Sequence, residues 1–337
     1  EYPYTSSTTK ILRKNFEELS EEVFKKFKIL KDDMIVDIGS NDGNLLSNFK
    51  KSMKVLGVTP EDIGKLAIQK GIPTILEYFT KELSDKIVKQ NGKAKIVTAT
   101  NVFAHIDNVN EVLSSIKNLL DDDGIFISES HYLYTLIEQN QFDTIYHEHL
   151  RYYSLKSLEY LFNKHDMEII SAKKIQTHGG SIRVYASKKN KYKKEDDYKE
   201  LLKLEEKNLY CDWLYNFKSK VIASKLKLYS LLSDISQKGL KIYGISAPSR
   251  ATTLLNYLDI NNDIIKCILE IEGSQKINNY LPGTSIPIYE ESKLYVDQPS
   301  FALILSWHIS SEIISNLRKR GFKGKFIIPL PEPNIIN

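Results

Sequence analysis

Cysteine is scarce in this sequence: Cys211 and Cys267 are the only two thiols in 337 residues. Two thiols so far apart exclude a disulfide framework and a structural zinc site made of cysteine pairs. No apolar run reaches the roughly 20 residues that span a bilayer, and no signal-peptide pattern opens the chain. We therefore expect a cytoplasmic protein without a membrane partner. The first residue is Glu1 rather than Met, as in a fragment of a longer chain.

A strong net charge is also absent, because 47 basic and 43 acidic residues leave a formal charge of +4. The lysines are scattered rather than clustered, so nothing indicates a nucleic-acid partner. Apolar residues make up 42% of the chain and charged residues 27%, as in soluble globular proteins. The length is sufficient for two domains.

The hydrophobic pattern predicts an α/β fold in two parts. An amphipathic helical pattern, with Leu12, Phe16, Leu19, Val23, Phe24 and Phe27 on one apolar face, fills 12–27, and the apolar run 34–38 leads through a glycine loop into another helical pattern. This order opens a doubly wound, Rossmann-like sheet. The run Asp121–Gly124 is typical of a turn, and a second strand–loop–helix pattern at 242–255 predicts a smaller Rossmann-like α/β domain.

Four segments follow from this pattern. They are an N-terminal helical segment at 1–30, a first domain at 31–187, a helical connector at 188–238 and a C-terminal Rossmann-like domain at 239–337.

The loop after the first strand reads D-I-G-S-N-D-G from Asp37 to Gly43. It lacks the lysine and hydroxyl of a phosphate-binding P-loop and the spacing G-x-G-x-x-G. Gly39 and Gly43 allow the backbone to approach a ligand closely, while Asp37 and Asp42 favour a cationic ligand such as a sulfonium with an amino group. A plain tight turn with solvated acids is the alternative.

A dense group of titratable side chains lies between Gln139 and His149, in the run Q-N-Q-F-D-T-I-Y-H-E-H. Burying that many polar groups without partners would cost about 2–7 kcal/mol each, so the run is either a solvated loop or a site. His147 and His149 flank an acid, which also suggests a metal site. No third ligand stands at a convincing spacing, and we predict no metal.

Five runs resemble a known family. They are V-D-I-G-S-N-D-G at 36–43, N-V-F-A-H-I at 101–106, E-Q-N-Q-F-D-T-I-Y-H-E-H at 138–149, T-H-G-G-S-I-R-V-Y-A at 177–186 and Y-L-P-G-T-S-I-P-I at 280–288. They resemble the S-adenosylmethionine-dependent sugar C-methyltransferases, which methylate carbon 3 of a nucleotide-linked 4-keto-6-deoxy sugar. The resemblance spans nearly the whole chain.

The resemblance implies a cofactor, S-adenosylmethionine, a nucleotide-diphosphate sugar substrate and a set of site residues. The catalytic candidates are His149 as the base that removes the carbon-3 proton, Tyr146 as donor to the enolate oxygen, and Glu148 as an orienting group. The cofactor candidates are Asp37, Gly39, Ser40, Asn41, Asp42, Gly43, Thr59, Phe79, Asn101 and Val102. The substrate candidates are Tyr4, His147, His178, Ser181, Ser246, Ser249, Arg250 and Thr252.

Arg250 lies where a helix N-terminus favours an anion, so it is a candidate for binding diphosphate. A surface position for Arg250 is equally compatible with the sequence.

Three departures from the family pattern stand out. The family's N-terminal zinc-binding module has no counterpart, since the chain starts about where that module ends. Thr59 replaces the family's ribose-binding glutamate. In the second half, Ser249 to Thr252 replace Ala-Lys-Gly-Asn. O- or N-methylation of a related nucleotide sugar and a non-catalytic sugar-nucleotide-binding protein therefore remain alternatives to C-methylation.

Overall fold

The computed structural model describes residues 9–208 and 211–337, with the side chain of Cys211 left out. Tyr4, a predicted substrate residue, lies outside these ranges. The chain divides into two compact units. The first unit comprises Glu1–Leu133 and Leu150–Asn208, and the second comprises Tyr134–His149 and Leu209–Asn337.

Within residues 9–208, seven strands form the sheet of the first unit in the order β3-β2-β1-β4-β5-β7-β6. The strands are β1 (Met34–Ile38), β2 (Lys54–Val58), β3 (Thr74–Ile75), β4 (Ala94–Thr100), β5 (Leu120–His131), β6 (Met167–Ile175) and β7 (Ser181–Lys188). β1 to β5 pair in parallel, and β6 and β7 are antiparallel. The strand order reverses between β1 and β4, and open α/β sheets bind ligands at such a switch point.

The helices of this part of the chain connect and cover the strands. They are α1 (Lys10–Lys26), α2 (Asn44–Ser47), α3 (Gly64–Gln69), α4 (Lys81–Asn91), α5 (Val109–Leu119), α6 (Leu133–Glu138), α7 (Leu155–Lys164) and α8 (Asp196–Asn208). α6 begins at the last residue before the boundary between the units.

The first helix packs into the core of the first unit through one apolar face. Leu12, Phe16, Leu19 and Val23 of α1 are buried in the same cluster as strand residues of β1, β4 and β5. The predicted apolar face is therefore confirmed at these positions and at the buried Phe27, but Phe24, which was predicted to belong to it, is 37% exposed.

In residues 211–337, six strands form the sheet of the second unit in the order β10-β9-β8-β11-β12-β13. The strands are β8 (Ile242–Ile245), β9 (Ile265–Glu270), β10 (Ile288–Glu290), β11 (Phe301–Ile304), β12 (Lys325–Ile328) and β13 (Asn334–Ile336). The helices are α9 (Cys211–Gln237), α10 (Ser249–Leu258), α11 (Ser292–Asp297) and α12 (Ser310–Lys319). All strand pairs are parallel except β12 with β13. Two Rossmann-like α/β sheets are thus present, and the predicted fold class is confirmed.

The boundaries of the two units differ from the predicted segments. Residues 134–149 group with the second unit although they were assigned to the first domain. The predicted helical connector, 188–238, divides at residue 208, so that α8 groups with the first unit and α9 with the second.

The predicted turn at Asp121–Gly124 is wrong, because these residues belong to β5. A register shift between Ala94 and Ile96 allows β4 to pair with both ends of this stretch, and Lys95 forms an ion pair with Asp123 at 2.5 Å.

Among residues 9–208 and 211–337, no helix combines the length and apolar content needed to cross a bilayer.

Candidate functional site

The loop after β1 can hold its shape only with glycine at two positions. Gly39 and Gly43 have φ values of +77° and +76°, in the left-handed region. A Cβ atom on Gly39 would lie 2.2 Å from Cγ2 of Val102, and one on Gly43 would lie 2.7 Å from Cδ1 of Ile72. The backbone N–H of Gly39 donates to the carbonyl of Val58 at 2.7 Å. The loop therefore lies tightly against the ends of β2 and β4.

Asp37 lies beneath this loop rather than in solvent. Its side chain is 2% exposed, and the Thr98 hydroxyl donates to its Oδ1 at 2.6 Å. Burial raises the pKa of Asp37 to about 7, with a smaller contribution from the charge of Glu129, while the Thr98 hydrogen bond opposes the shift. Asp37 is thus a carboxyl whose charge changes near neutral pH.

Asp42 is also buried, and it already has a cationic partner. Lys70 Nζ lies 3.0 Å from Asp42 Oδ2 and donates to the Asp42 carbonyl at 3.1 Å. We had expected the Asp42 carboxylate to attract a cationic ligand. In the structure its charge is balanced within the chain, and it anchors α3 to the loop.

The remaining predicted cofactor residues gather around the same end of the sheet. Thr59 follows β2 and is buried, Phe79 is buried after β3, and Asn101 and Val102 follow β4. The carboxyl ends of the parallel strands β1, β2 and β4 therefore bring this set together at the switch point.

Two buried polar atoms at this place have no partner among the described residues: the hydroxyl of Ser40 and the side-chain oxygen of Asn101. Buried polar groups are nearly always hydrogen-bonded, so unpaired ones at a switch point suit a polar ligand. Glycine backbone that approaches closely, two unpaired polar atoms and a buried carboxyl fit the adenosyl and amino-acid parts of S-adenosylmethionine.

The predicted catalytic run forms a tight turn in the second unit. The His149 N–H donates to the Tyr146 carbonyl at 3.1 Å, and the two aromatic rings stack with centroids 4.5 Å apart. His149 Nδ1 lies 3.1 Å from the Thr144 carbonyl oxygen. Since a carbonyl only accepts, Nδ1 carries the proton, and Nε2 is the acceptor nitrogen of the neutral ring. The Tyr146 hydroxyl, 3.4 Å from Nε2, therefore donates to it.

The two residues between Tyr146 and His149 are oriented by no comparable hydrogen bond among the described contacts. Glu148 is half-buried and His147 is exposed. The segment is a turn, so the strand geometry that would place His147 and His149 on one face is missing. Among the described residues, no group of three or more His, Cys, Asp or Glu side chains is placed to hold a metal ion.

Arg250 occupies a place different from the predicted one. Its side chain is 6% exposed, with Nε 2.9 Å from Asp143 Oδ2 and Nη1 2.5 Å from Nδ1 of His308. The guanidinium also lies against the Trp307 ring, 4.9 Å from its centroid. The predicted diphosphate contact of Arg250 is therefore not supported, because its guanidinium already binds Asp143 and His308 within the second unit. The alternative, a surface position, is wrong as well, since the side chain is buried.

The other hydroxyl residues near α10 are more accessible. Ser249 is exposed and Thr252 is half-buried in the first turn of α10. Ser246, whose φ is +64°, contacts the Ser306 hydroxyl at 2.7 Å. The N-terminus of this ten-residue helix has no side-chain cap.

The turn between β6 and β7 holds the last two predicted residues. His178 adopts a left-handed φ of +54° and is half-buried, with its ring 6.2 Å from that of His131. Ser181 is fully buried, and its hydroxyl donates to the Thr177 carbonyl at 3.0 Å. Ser181 therefore braces the turn, while His178 is the more accessible of the two.

The sequence reasoning missed three contributions. The Thr144 carbonyl sets the tautomer of His149, Asp143 is the partner of Arg250, and Trp307 donates its Nε1–H to Asp143 at 2.7 Å. The available signal was an acid, Asp143, between the apolar residues Phe142 and Ile145, because a carboxylate that becomes buried requires a cation; the identity of that cation is not visible in the sequence.

Comparisons with known proteins point to one family. The description "Methyltransferase domain" matches residues 8–172, and "C-methyltransferase C-terminal domain" matches residues 176–331. The chain is 30% identical over 344 residues to the C-methyltransferase NovU of Streptomyces niveus, which covers 100% of this chain and 81% of that protein.

Solved structures also resemble it over about half its length. The match to an S-adenosylmethionine-dependent methyltransferase from Clostridium acetobutylicum covers 52% of this chain and 92% of the matched chain, at 15% identity and a TM-score of 0.41. The match to magnesium protoporphyrin IX methyltransferase from Synechocystis, with bound S-adenosylmethionine, covers 52% of this chain and 79% of the matched chain, at 13% identity and a TM-score of 0.40.

The two family models together match nearly all of the described residues, and the alignment with NovU covers the full length of this chain. The chain belongs to the C-methyltransferase family and is an S-adenosylmethionine-dependent methyltransferase.

Proposed function

We propose that this protein methylates carbon 3 of a nucleotide-linked 4-keto-deoxy sugar. Its relative is named a C-methyltransferase, and a ring carbon becomes a nucleophile only after it loses a proton. A carbonyl beside that carbon makes the proton acidic, since the charge then spreads onto the oxygen as an enolate. The reaction therefore needs a base, and the protein must present one at an accessible position.

The observation that carries this proposal is the imidazole of His149. The Thr144 carbonyl holds the proton on Nδ1, so Nε2 is the basic nitrogen. When Nε2 takes the carbon-3 proton, the hydrogen bond from Nδ1 to Thr144 strengthens, because the ring is then positively charged. This half-buried histidine is thus set to accept a proton and to hold it.

Tyr146 is the proposed partner of the sugar oxygen. Its hydroxyl lies 3.4 Å from His149 Nε2, so one oxygen-bearing substrate can contact both groups. A phenol donor on the keto oxygen stabilises the enolate as its charge develops. The exposed His147 and the half-buried Glu148 lie between Tyr146 and His149 in the same turn and are proposed to contact sugar hydroxyls.

The proposed cofactor residues are those at the ends of β1, β2 and β4. Gly39 and Gly43 admit the ligand close to the backbone, and Ser40 and Asn101 offer their unpaired polar atoms. Asp37 supplies negative charge above a pH of about 7. When bound, S-adenosylmethionine supplies a sulfonium methyl as the electrophile and leaves as S-adenosylhomocysteine.

The second unit is proposed to bind the nucleotide at the start of α10. The unsatisfied N–H groups of a helix N-terminus attract phosphate, and Ser249 and Thr252 add hydroxyl donors in its first turn. Arg250 has no part in this proposal, since its guanidinium is paired with Asp143. His178 remains a proposed contact to the sugar.

The experiment is a product analysis. The protein is incubated with trideuteromethyl-labelled cofactor and a thymidine-diphosphate 4-keto-6-deoxy sugar, and the product is examined by carbon and proton NMR. The proposal expects a labelled methyl on carbon 3 and loss of the carbon-3 hydrogen signal. A methyl on oxygen or nitrogen, or cofactor binding without transfer to any keto sugar nucleotide tried, contradicts it.

A further inference from the structure

We propose that Asp143, Arg250 and Trp307 form a buried clamp that positions the imidazole of His149, and we define the clamp as these three residues. Asp143, fully buried, accepts from Trp307 Nε1 and pairs with Arg250. The inference rests on the proposed role of His149 as base. None of the three is proposed to touch the sugar or the cofactor.

The clamp joins three parts of the second unit that are far apart in sequence. Asp143 lies in the 3₁₀ turn Phe142–Thr144, Arg250 in the first turn of α10, and Trp307 just after β11. Arg250 Nη2 donates to Asp143 Oδ1 at 3.3 Å, and Nε lies 2.9 Å from Oδ2 as an ion pair without hydrogen-bond geometry. The other carboxylate oxygen, Oδ2, accepts from Trp307 Nε1 at 2.7 Å, so hydrogen bonds from two different residues hold the two oxygens.

The guanidinium itself is held from two further sides. Nη1 donates to Nδ1 of His308 at 2.5 Å, and the guanidinium carbon lies 4.9 Å from the centroid of the Trp307 ring. Since Arg250 is always a donor, His308 Nδ1 must be the unprotonated nitrogen of a neutral ring. The cation therefore has little freedom to follow Asp143 if the turn moves.

Asp143 of the clamp is the residue before Thr144, whose carbonyl holds the proton on Nδ1 of His149. Thr144 follows Asp143 directly, and its carbonyl oxygen is 3.1 Å from His149 Nδ1. The same turn is braced by the Thr144 hydroxyl, which donates to the Gln141 carbonyl at 2.8 Å, and by Phe142, which packs on Tyr257 with centroids 5.4 Å apart. Because Thr144 is bonded directly to Asp143, a shift of Asp143 large enough to disturb these contacts moves the Thr144 carbonyl away from Nδ1.

The consequence concerns which imidazole nitrogen is basic. With the Thr144 carbonyl in place, Nδ1 keeps its proton and Nε2 accepts. Without it, the neutral ring can exchange between its two tautomers, and only a fraction of molecules presents Nε2 as a base. Asp143, Arg250 and Trp307 are thus positioning residues for the reaction.

Asp143→Asn is the direct test, because it keeps the shape of the side chain and removes its charge. We expect kcat to fall at least about twofold, in proportion to the fraction of His149 rings that lose the Nδ1-protonated form, with KM for the sugar nucleotide unchanged. In the folded variant, ¹⁵N NMR of histidine-labelled protein should show the His149 ring as a mixture of tautomers. In the wild type it should show Nδ1 protonated, with the His149 signal assigned by its loss in His149→Gln.

Two further variants keep the test decisive. Trp307→Phe removes one donor and leaves the ion pair, so it covers the case in which Asp143→Asn does not fold, and it should shift the tautomer in the same direction by less. Tyr243→Phe is the matched control. It deletes another hydrogen bond of a buried side chain in the same unit, from the Tyr243 hydroxyl to Asp297 at 2.5 Å, and should change neither spectrum nor kcat.

The outcomes separate the clamp from the proposed function. A His149 tautomer that is unchanged in the folded variants overturns the clamp, whatever happens to activity. A shifted tautomer in a protein that methylates no keto sugar supports the clamp and contradicts the proposed function. An equal shift in Tyr243→Phe also overturns the clamp, since the effect would then follow from loosening the unit as a whole.

Discussion

Removing the carboxyl of Asp37 should change how stability depends on pH. Asp37 is 2% exposed, and burial raises its pKa from 3.8 to about 7. Between these two values the folded protein holds a proton that the unfolded chain has lost. The free energy of unfolding contributed by this group therefore falls as pH rises from about 4 to about 7, and it stays low above that. Three pKa units correspond to about 4 kcal/mol.

The assay compares wild type with Asp37→Asn by urea unfolding at pH 5, 6, 7 and 8. The variant is uncharged throughout, so its stability relative to wild type should increase by about 2–3 kcal/mol across this range. The increase should occur below pH 8 and then stop. Asp62→Asn, at an exposed carboxyl after β2, is the control for the same change of residue at the surface. If the difference in unfolding free energy between wild type and Asp37→Asn does not depend on pH, burial does not raise the pKa of Asp37, and the reasoning is refuted.

The same carboxyl should make cofactor binding depend on pH. If the ionised form of Asp37 attracts the cationic ligand, affinity rises by up to about tenfold per pH unit until pH about 7 and then levels. Calorimetry with S-adenosylmethionine from pH 6 to 8 measures this. A wild-type profile that Asp37→Asn reproduces would show that another group is responsible.

Two further predictions concern the loop and the turn. Gly39→Ala should weaken S-adenosylmethionine binding at least about tenfold, because a left-handed residue costs about 1–2 kcal/mol and the new methyl would overlap Val102. Gly92→Ala, also at a positive φ but facing open space, should leave the calorimetric affinity unchanged. Tyr146→Phe should lower kcat about 100-fold through loss of the enolate donor, and steady-state kinetics that change KM alone would contradict this role. Its cofactor affinity should equal that of the wild type, as should that of His149→Gln.

The cofactor side of the first unit was largely predictable from the sequence. A short apolar strand, a loop of glycines and acids and a following helix occur within a dozen residues, so the local pattern carries the information. The partner of Asp42 was not predictable, because Lys70 comes 28 residues later, after β2 and α3. Two acids that looked alike in the sequence therefore differ, since only Asp42 has a cation beside it.

The second unit shows the same limit more strongly. Arg250 precedes a helical pattern, which made a phosphate contact reasonable, but its partner Asp143 lies 107 residues earlier. A pair of residues so far apart in sequence comes together only in the packed fold, and no local pattern in the sequence indicates it. The run ending at His149 was recognised by its composition, whereas the tautomer of the imidazole depends on the Thr144 carbonyl, which every residue type possesses.

The central claim is that the nitrogen Nε2 of His149 removes the carbon-3 proton, and hydrogen exchange measures that step. The wild-type protein, with a 4-keto-6-deoxy sugar nucleotide and S-adenosylhomocysteine in D₂O, should replace the carbon-3 hydrogen by deuterium, as followed by proton NMR. His149→Gln should bind the cofactor with unchanged affinity and lose this exchange. Exchange at the wild-type rate in His149→Gln would contradict the account.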